Sequence, residues 1–288
     1  VSQVPSTKPV VYVIALPIGN LGDITERALA TLRMVDVLAC EDTRMTRKLL
    51  SHFQISDKKL VSYHNHGERE KAHHLLDQIS AQAESLGLVS DAGTPCLSDP
   101  GFHIIQAAHE RGIRVIPIPG ASSFLTLISA AGLPSDRILF VGFLPRKGTE
   151  LRKEMESWRE GAASIVFFES ALRIQKTLAM LGEVYPEAEL CIGRELTKLH
   201  EEIRRMSVSE AMTWAEKHPC LKGELAVMVG KPAADHAPGP DWTAIEIQCR
   251  AWFAEGKTHK AVLTHFLAQG IPKKDLYRRL LEWLPGPF

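Results

Sequence analysis

Short apolar runs in the first half of the chain each break off into small, turn-forming or polar residues. Val10–Leu16 runs into Pro17-Ile18-Gly19-Asn20, and Val35–Cys40 into Glu41-Asp42-Thr43-Arg44. The weaker run Leu60–Tyr63 leads to His64-Asn65-His66, Leu86–Ser90 to Asp91-Ala92-Gly93-Thr94-Pro95, and Ile113–Ile118 to Pro119-Gly120-Ala121-Ser122-Ser123. Strand-length runs alternating with helical patterns predict an α/β fold, a mostly parallel sheet covered by helices. In such a sheet ligands bind beyond the carboxyl ends of the strands. The chemically informative letters stand at those ends. Glycine and proline there let backbone approach a ligand closely; the plainer alternative for any single cluster is a tight strand-to-helix turn.

Between the runs, Asp23 and Glu26 stand at capping-box spacing before a helix with Ile24, Ala28, Leu29 and Leu32 on one face. Arg69–Ala83 reads as a helix, Asp99-Pro100 as a helix start, and Gly112 as a left-handed stop. A second series begins near Pro134. Ile138–Phe143, Ser164–Phe168, Leu190–Ile192 and Glu224–Val229 read as strands, Thr149–Glu160 as a helix, and Ser170 as the cap of a helix running to Gly182. Ser207 and Glu210 form another capping pair. Residues 232–241 are dense in proline and glycine and read as a linker. Beyond it, Thr258–Gln269 and a helix opening at Pro272-Lys273-Lys274-Asp275 give a helix-turn-helix outline. Residues 245–288 hold seven Lys and Arg against four Asp and Glu, a net of +3. The division expected is 1–133, 134–232 and 241–288.

Several classes drop out. Across 288 residues, 34 Lys and Arg balance 34 Asp and Glu, so any cationic footprint for nucleic acid is a local patch. No apolar run reaches bilayer-spanning length, and the first nine residues lack the apolar stretch of a signal peptide. Five widely spaced cysteines without a CxxC pair point to reduced thiols in the cytoplasm. No two of the 20 glycines stand two apart, which removes the GxGxxG dinucleotide fingerprint. Gly256-Lys257-Thr258 imitates a phosphate-binding loop, but Ala251 occupies the place of its first glycine. Gly120-Ala121-Ser122-Ser123-Phe124 falls short of a nucleophile elbow at Phe124. His64, His66, His73 and His74 lack a nearby cysteine or firmly placed carboxylate, so no metal is expected.

Taken together, Leu16-Pro17-Ile18-Gly19-Asn20-Leu21-Gly22-Asp23-Ile24-Thr25, Glu41-Asp42-Thr43-Arg44, Ser90–Pro95 and Pro119-Gly120 resemble the ribosomal RNA small subunit methyltransferase I family, a branch of the tetrapyrrole methylases. Phe168-Glu169-Ser170, Arg194–Lys198 and Lys222-Gly223-Glu224 match in the second half, in order. The resemblance covers roughly residues 10–231, and the basic helical tail looks like the family's terminal extension. It implies two α/β domains with S-adenosylmethionine in the cleft between them. It also implies 2′-O-methylation of a cytidine in the decoding region of small-subunit rRNA, as free rRNA or the assembled 30S particle, and a homodimer. The superfamily's small-substrate enzymes tend to carry Gly-Asp-Pro where this chain has Gly93-Thr94-Pro95. A relative acting on a small molecule, and a non-enzymatic S-adenosylmethionine sensor that binds nucleic acid through its tail, are the alternatives.

Carried over residue by residue, the resemblance assigns the cofactor to Leu16, Pro17, Asp91, Thr94, Pro95, Leu97, Ala121 and Ser122, with Phe168 and Ala226 from the second domain. A ribose hydroxyl is a poor nucleophile, so a carboxylate within hydrogen-bond reach would assist. Asp42, Asp91 and Glu195 are the candidates, each with the alternative of capping the next helix. For RNA phosphates the cations are Arg44, Arg47, Lys48, Arg146, Lys147, Arg194, Lys198, Lys273, Lys274, Arg278 and Arg279, each with the alternative of an ordinary solvated side chain.

Overall fold

A computed structural model describes residues 9–63, 68–161, 163–231, 242–268, 271 and 273–283. His64 and His66 and the expected linker lie outside the described residues. The chain divides into two compact units, Val1–Pro232 and Ala233–Phe288.

The first sheet of the larger unit comprises β1 (Val10–Ile14), β2 (Val37–Cys40), β3 (Lys59–Ser62), β4 (Ser85–Val89) and β5 (Arg114–Ile118), in the order β3-β2-β4-β1-β5. Every pairing is parallel. Parallel strands covered on both faces need continuous apolar runs, and Val37–Cys40 is wholly buried. Helices α1 (Glu26–Met34), α2 (Thr43–His52), α3 (Glu68–Gln82) and α4 (Phe102–Glu110) supply the cover. One face packs Val11, Leu76, Leu86 and Ile104; the other packs Ile14, Leu32, Leu38 and Leu50. The chain turns back between β3 and β4, so β4 and β1 flank a topological switch point, the place where such sheets bind ligands.

Local starts differ from expectation at three helices. Thr25 caps α1 by accepting from the Ala28 amide at 3.0 Å, while Leu21–Asp23 forms a 3-10 turn that takes Asp23 away from the cap position. Helix α4 starts after Gly101, whose φ is +131°, because Gly93, Cys96 and Ser98 adopt positive φ and the segment loops before turning helical. Helix α7 (Ile174–Val184) has Arg173, not Ser170, at its cap.

Helix α5 (Ser123–Ala131) leaves the first sheet and packs on the second, where Leu127 and Ala131 meet Val166, Cys191, Ala226 and Met228. The second sheet holds β6 (Ile138–Phe143), β7 (Ser164–Ser170), β8 (Glu189–Arg194), β9 (Glu202–Ser207) and β10 (Glu224–Val229), in the order β6-β7-β10-β8-β9. Only β6 and β7 are parallel. The mostly parallel expectation therefore holds for the first sheet and not for the second, where β8 turns back on itself to make β9. That strand carries no apolar run: Glu202-Ile-Arg-Arg-Met-Ser is an exposed edge, and Arg204 and Arg205 blunt it against further pairing.

Helices α6 (Gly148–Ser157), α7 and α8 (Val208–Lys217) cover the outer face of this sheet. Trp158 is buried there between the rings of Phe167 and Tyr185. The Ser207–Glu210 capping box forms as expected at the start of α8.

The described residues of the smaller unit form α9 (Trp242–Ala254), α10 (His259–Ala268) and α11 (Lys273–Trp283), packed around Ile245, Cys249, Val262, Phe266, Leu276 and Leu280. Arg279 lays its guanidinium 4.4 Å from the Trp242 ring centroid, so this cation is engaged in packing. Among the described residues no helix is long and apolar enough to cross a membrane.

Candidate active site

The carboxyl ends of the first sheet and the inner ends of β6, β7, β8 and β10 enclose a cleft of about 440 Å³, a size suited to a small organic ligand. Its floor is a backbone bridge across the switch point. Leu16 donates to the Gly93 carbonyl at 2.8 Å, and Gly93 returns the bond at 3.1 Å. Gly93 has φ +75°, and a Cβ there would stand 3.2 Å from Ile18 Cγ2. Only glycine suits both that conformation and that approach. The Thr94 hydroxyl donates to the Ala121 carbonyl at 3.2 Å and ties the β4 loop to the β5 loop.

The two halves are clasped opposite this floor. A Cβ on Gly19 would fall 2.4 Å from Lys198 Cγ, so the turn after β8 lies directly on the loop after β1. Within that turn Glu195 and Thr197 hold φ of +49° and +66°. Glu195 accepts from Lys198 Nζ at 3.0 Å and from the Glu224 amide at 3.3 Å, packed so close to Gly223 that a Cβ there would collide with it. Lys198 keeps the Glu195 carboxyl below its ordinary range.

Of the three candidate bases, Asp91 and Glu195 line the cleft and Asp42 does not. Asp42 caps α2, accepting from the Arg44 amide at 2.8 Å, and its other oxygen takes the Arg44 guanidinium at 2.7 Å. That pairing lowers it to about 2. Asp91 Oδ1 accepts from the Asp42 amide at 3.0 Å, which fixes the carboxylate at the end of β4. Glu41 and Asp99 also face the cleft. Burial, reinforced by the nearby Asp91 charge, raises both above the usual carboxylate range. Six carboxylates and one lysine line the cleft among the described residues.

Thr94, Leu97, Ser122, Phe168 and Ala226 line the same cleft. Leu16, Pro17, Pro95 and Ala121 stand in the segments that build its wall. Glu41, Asp99, Phe143 and Glu224 also line the cleft, without having been site candidates on sequence; of these Glu41 carries a signal, its position at the end of a strand.

The cations are less uniform. Arg44 pairs with Asp42, Lys147 with Glu150, Lys198 with Glu195, and Arg194 bridges Glu202 and the Lys222 carbonyl. Arg47, Lys48, Arg146 and Arg278 are exposed. Lys273 and Lys274 lie on the first turn of α11, and their side chains fall outside the described residues.

A family profile for tetrapyrrole (corrin/porphyrin) methylases matches residues 10–212. A protein of Mesorhizobium japonicum named ribosomal RNA small subunit methyltransferase I is 41% identical over 276 residues, covering 96% of this chain and 92% of that protein. The chain belongs to the ribosomal RNA small subunit methyltransferase I family.

Two further members of the family match over most of the chain. The protein of Halalkalibacterium halodurans is 38% identical, covering 94% of each chain, and that of Vibrio cholerae is 44% identical over 78% of each. Solved structures share the fold of the family at low identity. Cobalt precorrin-4 methyltransferase superposes with a TM-score of 0.57 at 15% identity, covering 80% of this chain and 98% of that one. A uroporphyrin-III C-methyltransferase from Thermus thermophilus, complexed with S-adenosylhomocysteine, gives 0.53 at 17%, covering 77% and 97%.

Proposed function

We propose that this chain transfers a methyl group from S-adenosylmethionine to the ribose 2′-oxygen of a cytidine in small-subunit rRNA. The observation that carries the reading is the cleft itself: a glycine-tight backbone floor at the switch point, facing carboxylates, in a chain that matches the methyltransferase I family along nearly its whole length. That lining suits the cofactor. S-adenosylmethionine carries sulfonium and ammonium cations, which carboxylates favour, and the close approach at Gly93 admits a ligand against bare backbone.

The bound sulfonium supplies an already activated methyl group. The chain's own residues have then to hold the acceptor oxygen in line and to take its proton. Asp91 is the proposed proton acceptor, because the Asp42 amide fixes one of its oxygens and its side chain faces the cleft. Glu195, tied to Lys198 and the Glu224 amide, and Asp42, tied to Arg44, act through position: each stiffens a loop that forms the site. The cations Arg47, Lys48, Arg146 and Arg278 supply phosphate contacts outside the acidic cleft, joined by Lys273 and Lys274. The resemblance extends the reading to a homodimer, and five free thiols fit a reducing compartment such as the cytoplasm.

The test is transfer of tritiated methyl groups to free small-subunit rRNA and to 30S particles, both from cells lacking this enzyme. Label in an alkali-resistant dinucleotide is the expected product; label released as mononucleotide would overturn ribose methylation. Removal of residues 241–288 is expected to weaken rRNA binding about tenfold or more at physiological salt, on the order of the loss from removing several phosphate contacts. S-adenosylmethionine binding, measured by calorimetry, should stay within a few-fold. Equal loss of both would make the tail structural.

A further inference from the structure

Phe143 ends β6, faces the cleft, and is 63% exposed. With Leu97, Phe124 and Phe168 it gives the otherwise acidic lining an apolar side. Its orientation is built in. In a regular strand, residues an odd number apart point to opposite faces, so Phe140 and Phe143 would be separated by the sheet. The β6–β7 register pairs Phe140 with Val166, Gly142 with Phe167 and Phe143 with Phe168, which leaves Val141 as an extra residue. That bulge restores both phenylalanines to one face. The rings of Phe140 and Phe143 then lie 5.2 and 5.6 Å from that of Phe168.

The bulge depends on Gly142, whose φ is +71° and whose missing Cβ leaves room for Ser98 Oγ, 2.8 Å from where it would stand. Beyond the ring, the Leu144 and Pro145 carbonyls accept from the Arg173 guanidinium at 2.9–3.2 Å, so the segment is held on both sides. Phe168 packs against the ring at a tilt of 59°, and most of the side chain stays exposed.

The lining around it decides what arrives. Glu169 is turned into the core and Lys198 is paired with Glu195, which leaves Glu41, Asp91, Asp99 and Glu224 as the carboxylates that disfavour phosphate in the cleft. The portion of an RNA that enters must be the neutral nucleoside, swung out of the strand with its backbone left outside. A base removed from its stack needs a new aromatic surface.

We propose that Phe143 is the stacking platform for the base of the nucleoside being methylated, and hence a substrate-binding residue of the site. The inference rests on the rRNA reading above. The same flat heteroaromatic chemistry also exists in the adenine of S-adenosylmethionine. The acceptor base is favoured because Phe143 is the more exposed of the two rings on this wall, Phe168 being half-buried.

The experiment compares wild type with Phe143→Ala, Phe143→Leu and Phe143→Trp, using unmethylated 30S particles and saturating S-adenosylmethionine. Wild-type transfer comes first, and its absence would sink the rRNA reading and this inference with it. Given transfer, kcat/KM is expected to fall about ten- to a hundredfold in Phe143→Ala, nearly as far in Phe143→Leu, and to return to within about threefold of wild type in Phe143→Trp. Calorimetric affinity for S-adenosylmethionine should be unchanged in all three. Leucine performing like phenylalanine would reduce the side chain to apolar filler and overturn the proposal. A tenfold weaker cofactor affinity in Phe143→Ala would assign the ring to the adenine and overturn it as well.

Discussion

Methyl transfer by an Asp91→Asn variant is expected to fall by about 10²- to 10⁴-fold, the usual range for loss of a positioned general base. Asparagine keeps an oxygen to accept from the Asp42 amide, so the loop at the end of β4 should retain its shape. Folding, followed by thermal melting, and S-adenosylmethionine affinity should stay close to wild type. Asp42→Asn is the matched control. Both Asp42 oxygens are engaged by Arg44, and the residue does not line the cleft, so it is not placed to take a proton from a ribose hydroxyl. Asparagine keeps an oxygen for the α2 cap, so the replacement costs the ion pair with Arg44 and little turnover. Near-normal transfer in Asp91→Asn would leave alignment alone to account for the rate. A collapse of cofactor affinity would reassign Asp91 from the proton to the bound cofactor.

The largest stability loss is expected at Glu169. Its side chain is almost fully buried, with Oε1 accepting from the Ser170 amide at 2.8 Å and Oε2 from the Thr177 hydroxyl at 2.7 Å. Arg173 stands 3.4 Å away and carries the same network on to the Leu144 and Pro145 carbonyls. Removing one partner from a buried charged network strands the others without their bonds. Glu169→Ala should therefore cost about 3 kcal/mol, lowering Tm by roughly 6–12 °C for a unit of this size. Glu169→Gln, which can still accept from Thr177, should cost less. A melt within about 2 °C of wild type for the alanine variant would show that the Ser170–Arg173 segment holds its place without this carboxylate.

The first sheet was legible because its strands are wrapped on both faces, and burial on both faces writes continuous apolar runs such as Val37–Cys40. The second was legible only in part. Strand β9 is half solvated and paired along one edge, so Glu202–Ser207 carries arginines where a pattern search wants valine. The start of α4 differs from its sequence signal because a left-handed loop intervenes: nothing in Asp99-Pro100 reveals that Cys96 and Ser98 have turned left-handed ahead of it. Most of the cleft could be anticipated from strand-end letters, as with Asp91, Thr94 and Ser122. The fate of charges could not. Asp42 and Arg44 are two residues apart and equally plausible as base and phosphate ligand, yet each is occupied by the other. Phe143 escaped notice for a different reason, since the face it presents is decided by one supernumerary residue, and a parity shift leaves no mark in composition.

The arrangement of the second sheet also bears on synthesis. Strand β10 is its middle strand, yet it is the last of the five to be made. Until residue 229 is available, β6–β7 and β8–β9 are two separate pairs, and two-stranded pieces are marginal on their own. Leu225 and Ala226, which form part of the cleft wall, arrive with that same strand. A nascent chain thus closes its second sheet and completes the cleft in a single late event, and a product truncated before β10 would retain a finished first sheet beside an unfinished site.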